Sequence, residues 1–151
     1  MHTQLPRPSG TVDDHPPFWS ARLALLVVTA VACLTASAFH AGLTLPLGSL
    51  TLAEPAILPA ALVEGAIGIL LAASAVAQWT RQRWARQLTL NAYIVGIVGF
   101  AVGIAIVLRN PDLQTSFNVS VHAGVFPLLL VGLELEIAAG RRDASRGREA
   151  A

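Results

Sequence analysis

Four apolar runs, Ala21–Leu43, Ile57–Trp79, Leu88–Leu108 and Val119–Ala139, occupy most of this 151-residue chain. Each holds about twenty residues, and at ~1.5 Å per residue a helix of that length crosses a hydrocarbon core of ~30 Å. No water reaches that core, so every backbone N–H and C=O must be satisfied within the protein, which leaves helices and closed barrels. The runs are continuous rather than alternating, and that selects helices. Hydrophobic residues make up 54% of the chain and charged ones 13%, a balance outside the range of soluble domains. The expected fold class is an all-α membrane protein, an antiparallel four-helix transmembrane bundle formed by one domain over 18–140.

The arginines orient it. All ten basic residues are Arg. The N-terminal segment carries Arg7 and, at the start of the first span, Arg22; Arg81, Arg83 and Arg86 lie between the second and third, and Arg141, Arg142, Arg146 and Arg148 follow the fourth. Only Arg109 falls on the other side. Positive charge stays cytoplasmic, so the expectation is a multi-pass plasma (inner) membrane protein with both termini in the cytoplasm. Trp19, Trp79 and Trp84 fall on the same side, as an interfacial aromatic belt would. The net charge of +1 resides in these flanks and gives a nucleic-acid partner no support. The lipid bilayer is the expected partner.

Residues 1–17 hold four of the nine prolines among Ser, Gly, Asp and His, and the tail 141–151 is basic and polar. Neither can bury a core, so both are expected to be disordered cytoplasmic segments. Ala36-Ser37-Ala38 resembles a signal-peptidase site, but the polar lead before it carries Asp13 and Asp14, and the apolar run continues past it to Leu43. An uncleaved first span is the expectation. Cys33 is the single cysteine, which excludes an intrachain disulfide and dithiol chemistry.

Between the first two spans, Leu43 to Leu52 alternates apolar and small polar residues around Gly48-Ser49. That pattern predicts a short outer β-hairpin or extended loop, with its leucines turned toward the bundle as a lid. Glu54-Pro55 is expected to open the second helix, with proline at the first helical position. Small residues stripe spans two and three, notably Gly65 and Gly68, and Gly96, Gly99 and Gly103. Such faces let membrane helices approach closely. They serve either packing of span two on span three or a homo-oligomer.

Three ionisable residues within the spans, His40, Glu64 and His122, stand at nearly one depth in the outer half. His40 is about a turn inside the end of span one, and His122 about a turn inside the start of span four. Glu64 lies ~10–15 Å below the outer boundary, and helical side chains lean toward their own N-terminus, which brings the three heads closer. Titratable groups in lipid are rare and mark sites, relays or pathways. Pro127 has no N–H for the carbonyl of Ala123, next to His122. Glu134 and Glu136 are expected to form interfacial ion pairs with Arg141, Arg142 or the arginines of the second loop. Asn91 is expected to bond a neighbouring helix.

The chain carries no H-E-x-x-H, C-x-x-C, nucleotide loop or nucleophile elbow. Two imidazoles and a carboxylate suit a metal ion with an open position, making His40, Glu64 and His122 candidate metal ligands. Two histidines at one depth also suit a b-type haem. The chain resembles the many small four-span inner-membrane proteins of bacteria, on hydropathy and not on any motif. The expectation is a non-enzymatic membrane protein binding a small ligand, ion or lipid in an intramembrane pocket of His40, Glu64 and His122. The alternatives are a proton-coupled small-molecule transporter acting as an oligomer, an accessory subunit of a membrane complex, and an acid–base catalyst using the imidazoles.

Overall fold

The computed structural model describes residues 17–149. The expectation of disorder over residues 1–16 lies outside them. Four helices, α1 (Pro17–His40), α2 (Leu58–Trp79), α3 (Ala85–Arg109) and α4 (Ser116–Glu149), carry the chain, with two short strands, β1 (Leu45–Leu47) and β2 (Leu50–Leu52), between α1 and α2. All four helices are long and apolar enough to cross a membrane. They pack in a ring, α1 on α2, α2 on α3, α3 on α4 and α4 back on α1. The end of α1 meets the start of α2, and the start of α1 meets the end of α4, so neighbours run antiparallel.

Glycine ends α1. Leu43 N–H donates to Ala38 O and Gly42 N–H to Phe39 O, both at 2.9 Å, and Gly42 has φ +97°. This is a Schellman cap, which needs a left-handed residue at that position. The helix thus stops at His40, three residues before the apolar run does. α2 ends in the same way, with Gln82 N–H on Ala77 O at 2.9 Å and Arg81 N–H on Gln78 O at 3.0 Å. Here the left-handed position holds Arg81, at φ +54°.

The hairpin pairs Leu45 with Leu52 and Leu47 with Leu50 around Gly48-Ser49, and Gly48 has φ +63°. A positive φ at the first central position is what a primed two-residue turn requires. The hairpin differs from expectation in what it covers. Leu43, Leu45 and Leu52 are exposed, because two three-residue strands are too short to fold back over the helix ends. The cover over His40 is aromatic instead: the Phe117 ring stands edge-on to the His40 ring, with centroids 6.2 Å apart, and packs on Phe39 at 4.8 Å.

Three further expectations are corrected. α2 begins at Leu58 with Pro59 in its first turn, so Pro55 lies outside it. Glu54 serves α4 instead. Thr115 Oγ1 accepts the Asn118 N–H at 3.1 Å as a helix cap and donates to Glu54 Oε2 at 2.6 Å. The carboxylate therefore sits at the positive end of α4. The basic tail is helical to Glu149 rather than disordered, since Ala, Arg and Glu favour helix and no proline follows Gly140, Gly147 being tolerated near the end. Asn91 is exposed and accepts from Gln87 of its own helix at 3.1 Å.

The stripe glycines Gly65, Gly68, Gly96, Gly99 and Gly103 are all occupied by intrachain contacts. A Cβ on Gly65 would meet Ser37 Oγ at 2.8 Å and one on Gly68 would meet Leu34 Cγ at 2.7 Å, both on α1. Gly96 faces Leu129 of α4 and Ile67 of α2, and Gly99 faces Ile67 and Val63. Gly103 lies against His122. The span-two glycines thus serve α1 and the span-three glycines serve α2 and α4. Leu26, Cys33, Ile67, Leu71, Phe100 and Leu129 fill the centre between them.

At the end away from the hairpin a buried polar network joins all four helices. Arg22 of α1 forms a two-pronged ion pair with Glu136 of α4, its Nε 2.9 Å from Oε1. Gln78 of α2 donates to both Glu136 Oε1 and Thr89 Oγ1 of α3, at 3.0 Å each. Glu136 is 1% exposed. Its partner is Arg22, not the tail or loop arginines, because the ring places the start of α1 beside the end of α4.

Candidate functional site

The hairpin end holds the second polar cluster. His40, on the last turn of α1, and Glu64, two turns into α2, are both buried. Their contact is direct, with His40 Nδ1 2.8 Å from Glu64 Oε2. Two neighbouring bonds hold the helices in register around it. Ser37 Oγ donates to Ala61 O at 2.7 Å, and Ile57 N–H donates to His40 O at 2.8 Å. Gly65 and Gly68 allow the approach that makes these bonds possible. A proton lies between the two side chains, either on the imidazole or on the carboxyl, and each arrangement satisfies one nitrogen and one oxygen. His40 Nε2 is sealed and takes no hydrogen bond.

Glu64 also lines a cleft of about 410 Å³. α2 contributes Pro59, Ala60 and Val63, and α3 contributes Gly99, Phe100, Val102, Gly103 and Ile106. Asn118 and His122 of α4 close its floor. The lining residues Val63, Val102 and Ile106 are exposed, so the cleft reaches the lateral surface between α2 and α3. The volume lies within the ~300–1,000 Å³ of small-molecule sites, which are mostly apolar with a few placed polar groups. Glu64, Asn118 and His122 are those polar groups.

His122 reaches the cleft from α4. Its Nδ1 lies 2.9 Å from Asn118 O, and a carbonyl only accepts, so Nδ1 carries the proton and Nε2 is the free nitrogen. The ring packs on Phe100, centroids 5.3 Å apart, and against Gly103, where a Cβ would lie 2.6 Å from Nε2. Asn118 is the residue that sequence reasoning missed. It is 2% exposed, and its Nδ2 donates to Leu113 O at 2.8 Å, while its Oδ1 is sealed without a partner. The available signal was an Asn one helical turn before His122, at the polar start of the span.

Of the three predicted site residues, the structure joins His40 and Glu64 directly, and sets His122 with Glu64 in the wall of one cleft. Among the described residues no group of three or more His, Cys, Asp or Glu side chains is arranged to hold a metal ion. A haem bridging the two histidines does not fit either. The free nitrogen of His40 is sealed in the core, while that of His122 belongs to the cleft.

The fold and site define a class, a four-helix bundle with a buried His–Glu pair beside a laterally open apolar cleft. No protein-family model matches the chain, and neither a curated protein nor a solved structure matches it.

Proposed function

We propose that this is an integral inner-membrane protein, with both termini cytoplasmic, that binds a small lipid-soluble ligand in the cleft between α2, α3 and α4. The observation that carries the reading is the cleft itself, a cavity of about 410 Å³ with apolar walls and Glu64 and His122 among its lining. Glu64 is the central contact, positioned by His40, and His122 is the second. The outer surface adds support. Val28, Leu62, Ile69, Val98, Leu108 and Leu130 are among many aliphatic side chains exposed on all four helices, a surface far more apolar than a soluble monomer carries. A mouth open toward that surface admits a ligand from the bilayer rather than from water.

The transporter alternative has less support. It calls for an oligomer, and the glycine faces that would build one are already occupied within the chain. The acid–base catalyst has less support too, since no Ser, Thr, Cys or Lys nucleophile lines the cleft. An accessory role in a larger complex draws on the apolar surface alone and leaves the cleft unexplained.

Native mass spectrometry of the full chain extracted with its surrounding lipid tests the reading. The wild type should retain a small-molecule adduct that Glu64→Gln and the cleft-filling Ala60→Phe both lose. An identical adduct spectrum in all three proteins would overturn it.

A further inference from the structure

We infer that the cleft selects an apolar amine, bound as its ammonium ion; this rests on the cleft being a ligand site and adds the chemistry of the ligand's head. The side-chain polar atoms of the lining residues that take no hydrogen bond are acceptors. Glu64 gives one oxygen, Oε2, to His40. Its other oxygen, Oε1, takes no hydrogen bond, and unlike His40 Nε2 and Asn118 Oδ1 it is not sealed. Oε1 accepts wherever the shared proton sits: with the proton on His40 it belongs to a carboxylate, and with the proton on Oε2 it is the carbonyl oxygen of the acid.

His122 Nε2 is in the same state. Its ring proton is on Nδ1, held by Asn118 O, so a neutral ring presents a lone pair at Nε2, which also has no partner and is not sealed. The third polar lining residue, Asn118, turns its amide nitrogen to Leu113 O. No Lys or Arg lines the cleft. Phe100 adds an aromatic face, which attracts a cation and not an anion.

The starts of α2 and α4 favour an anion, as helix N-termini do. Both are partly answered within the chain: at α2, Pro59 has no N–H, Ile57 N–H is given to His40 O and Ala61 N–H to Ile57 O, leaving Leu58 and Ala60 N–H as its donors, and at α4 Thr115 caps Asn118 N–H while Glu54 supplies a carboxylate. A donor-rich, positively charged head therefore complements the site, and a carboxylate or phosphate would meet two acceptors. The apolar walls take an aliphatic or aromatic body.

Three probes with one body separate the possibilities: 4-phenylbutylamine, 4-phenylbutan-1-ol and 4-phenylbutyrate, titrated against the full chain in lipid nanodiscs with empty nanodiscs as the blank. The amine should bind roughly tenfold or more tighter than the alcohol, as a charge-assisted hydrogen bond provides, with the acid weakest. Glu64→Gln should bring the amine to within about twofold of the alcohol. The ranking on wild type stands whether or not that variant folds. An amine bound no tighter than the alcohol, or an advantage that survives Glu64→Gln, overturns the amine inference and leaves the cleft as an apolar site. An acid bound best overturns it in favour of the helix N-termini. If none of the three binds, as when a lipid chain or a second copy fills the cleft, the binding reading falls with it.

Discussion

His40 Nδ1 and Glu64 Oε2 lie 2.8 Å apart, on different helices and with both residues buried. The pair locks the last turn of α1 to the second turn of α2, and each member is satisfied chiefly by the other. Removing one partner leaves a buried polar group, at a cost of about 1–3 kcal/mol. Either alanine variant should therefore lower stability by about that much or more. The double variant His40→Ala/Glu64→Ala should lose less than the sum, with a coupling of about 1 kcal/mol or more. Thermal unfolding of the four proteins in one detergent measures it, and strictly additive losses would mean the contact contributes nothing.

The ion pair of Arg22 and Glu136 sits at the opposite end and obeys a harsher rule. Glu136 is almost fully buried and also accepts from Gln78. Taking away one charge of a buried pair costs about 3–5 kcal/mol, whereas replacing both by apolar side chains is often neutral. Glu136→Ala should destabilise strongly, the exposed Glu134→Ala by about 0.5 kcal/mol or less, and Arg22→Leu/Glu136→Leu should recover most of the loss. Denaturant midpoints in mixed micelles compare the three directly.

Arg81 occupies the left-handed position of the α2 cap at φ +54°. A residue with a Cβ pays about 1–2 kcal/mol there, and glycine avoids that cost while losing about 0.5–1 kcal/mol to its greater freedom when unfolded. Both variants give up the Arg81 side chain's own contacts, so the cap is read from the difference between them: Arg81→Gly should be more stable than Arg81→Val, with its β-branched side chain, by about 1 kcal/mol or more. A higher melting temperature for the valine variant than for the glycine variant would contradict the cap.

The helices and the hairpin were legible in the sequence because their signals are local. Runs of about twenty apolar residues permit little but a helix, and alternation about Gly48-Ser49 permits little but a tight turn. The proximity of His40 and Glu64 was readable as well, since the two lie at nearly one depth on consecutive helices and their side chains lean toward each other. What was illegible depends on how the ring closes. The pairing of Arg22 with Glu136 spans 114 positions and follows only once α4 packs on α1. The same closure decides that Gly65 and Gly68 face α1 rather than α3. The helical tail was missed because polarity was weighed above helix propensity, and Asn118 because a single amide gives no pattern until a helix places it beneath His122.

The most direct measurement of the central claim is a binding isotherm of 4-phenylbutylamine to the full chain in nanodiscs, wild type against Ala60→Phe. Ala60 lines the cleft and is only half-buried, so a phenyl ring there occupies the cavity without displacing Glu64 or His40. The account predicts saturable one-site binding to the wild type and none to Ala60→Phe, with both proteins unfolding at closely similar temperatures. Undiminished saturable binding to Ala60→Phe would contradict it, because the ligand would then lie somewhere other than this cleft.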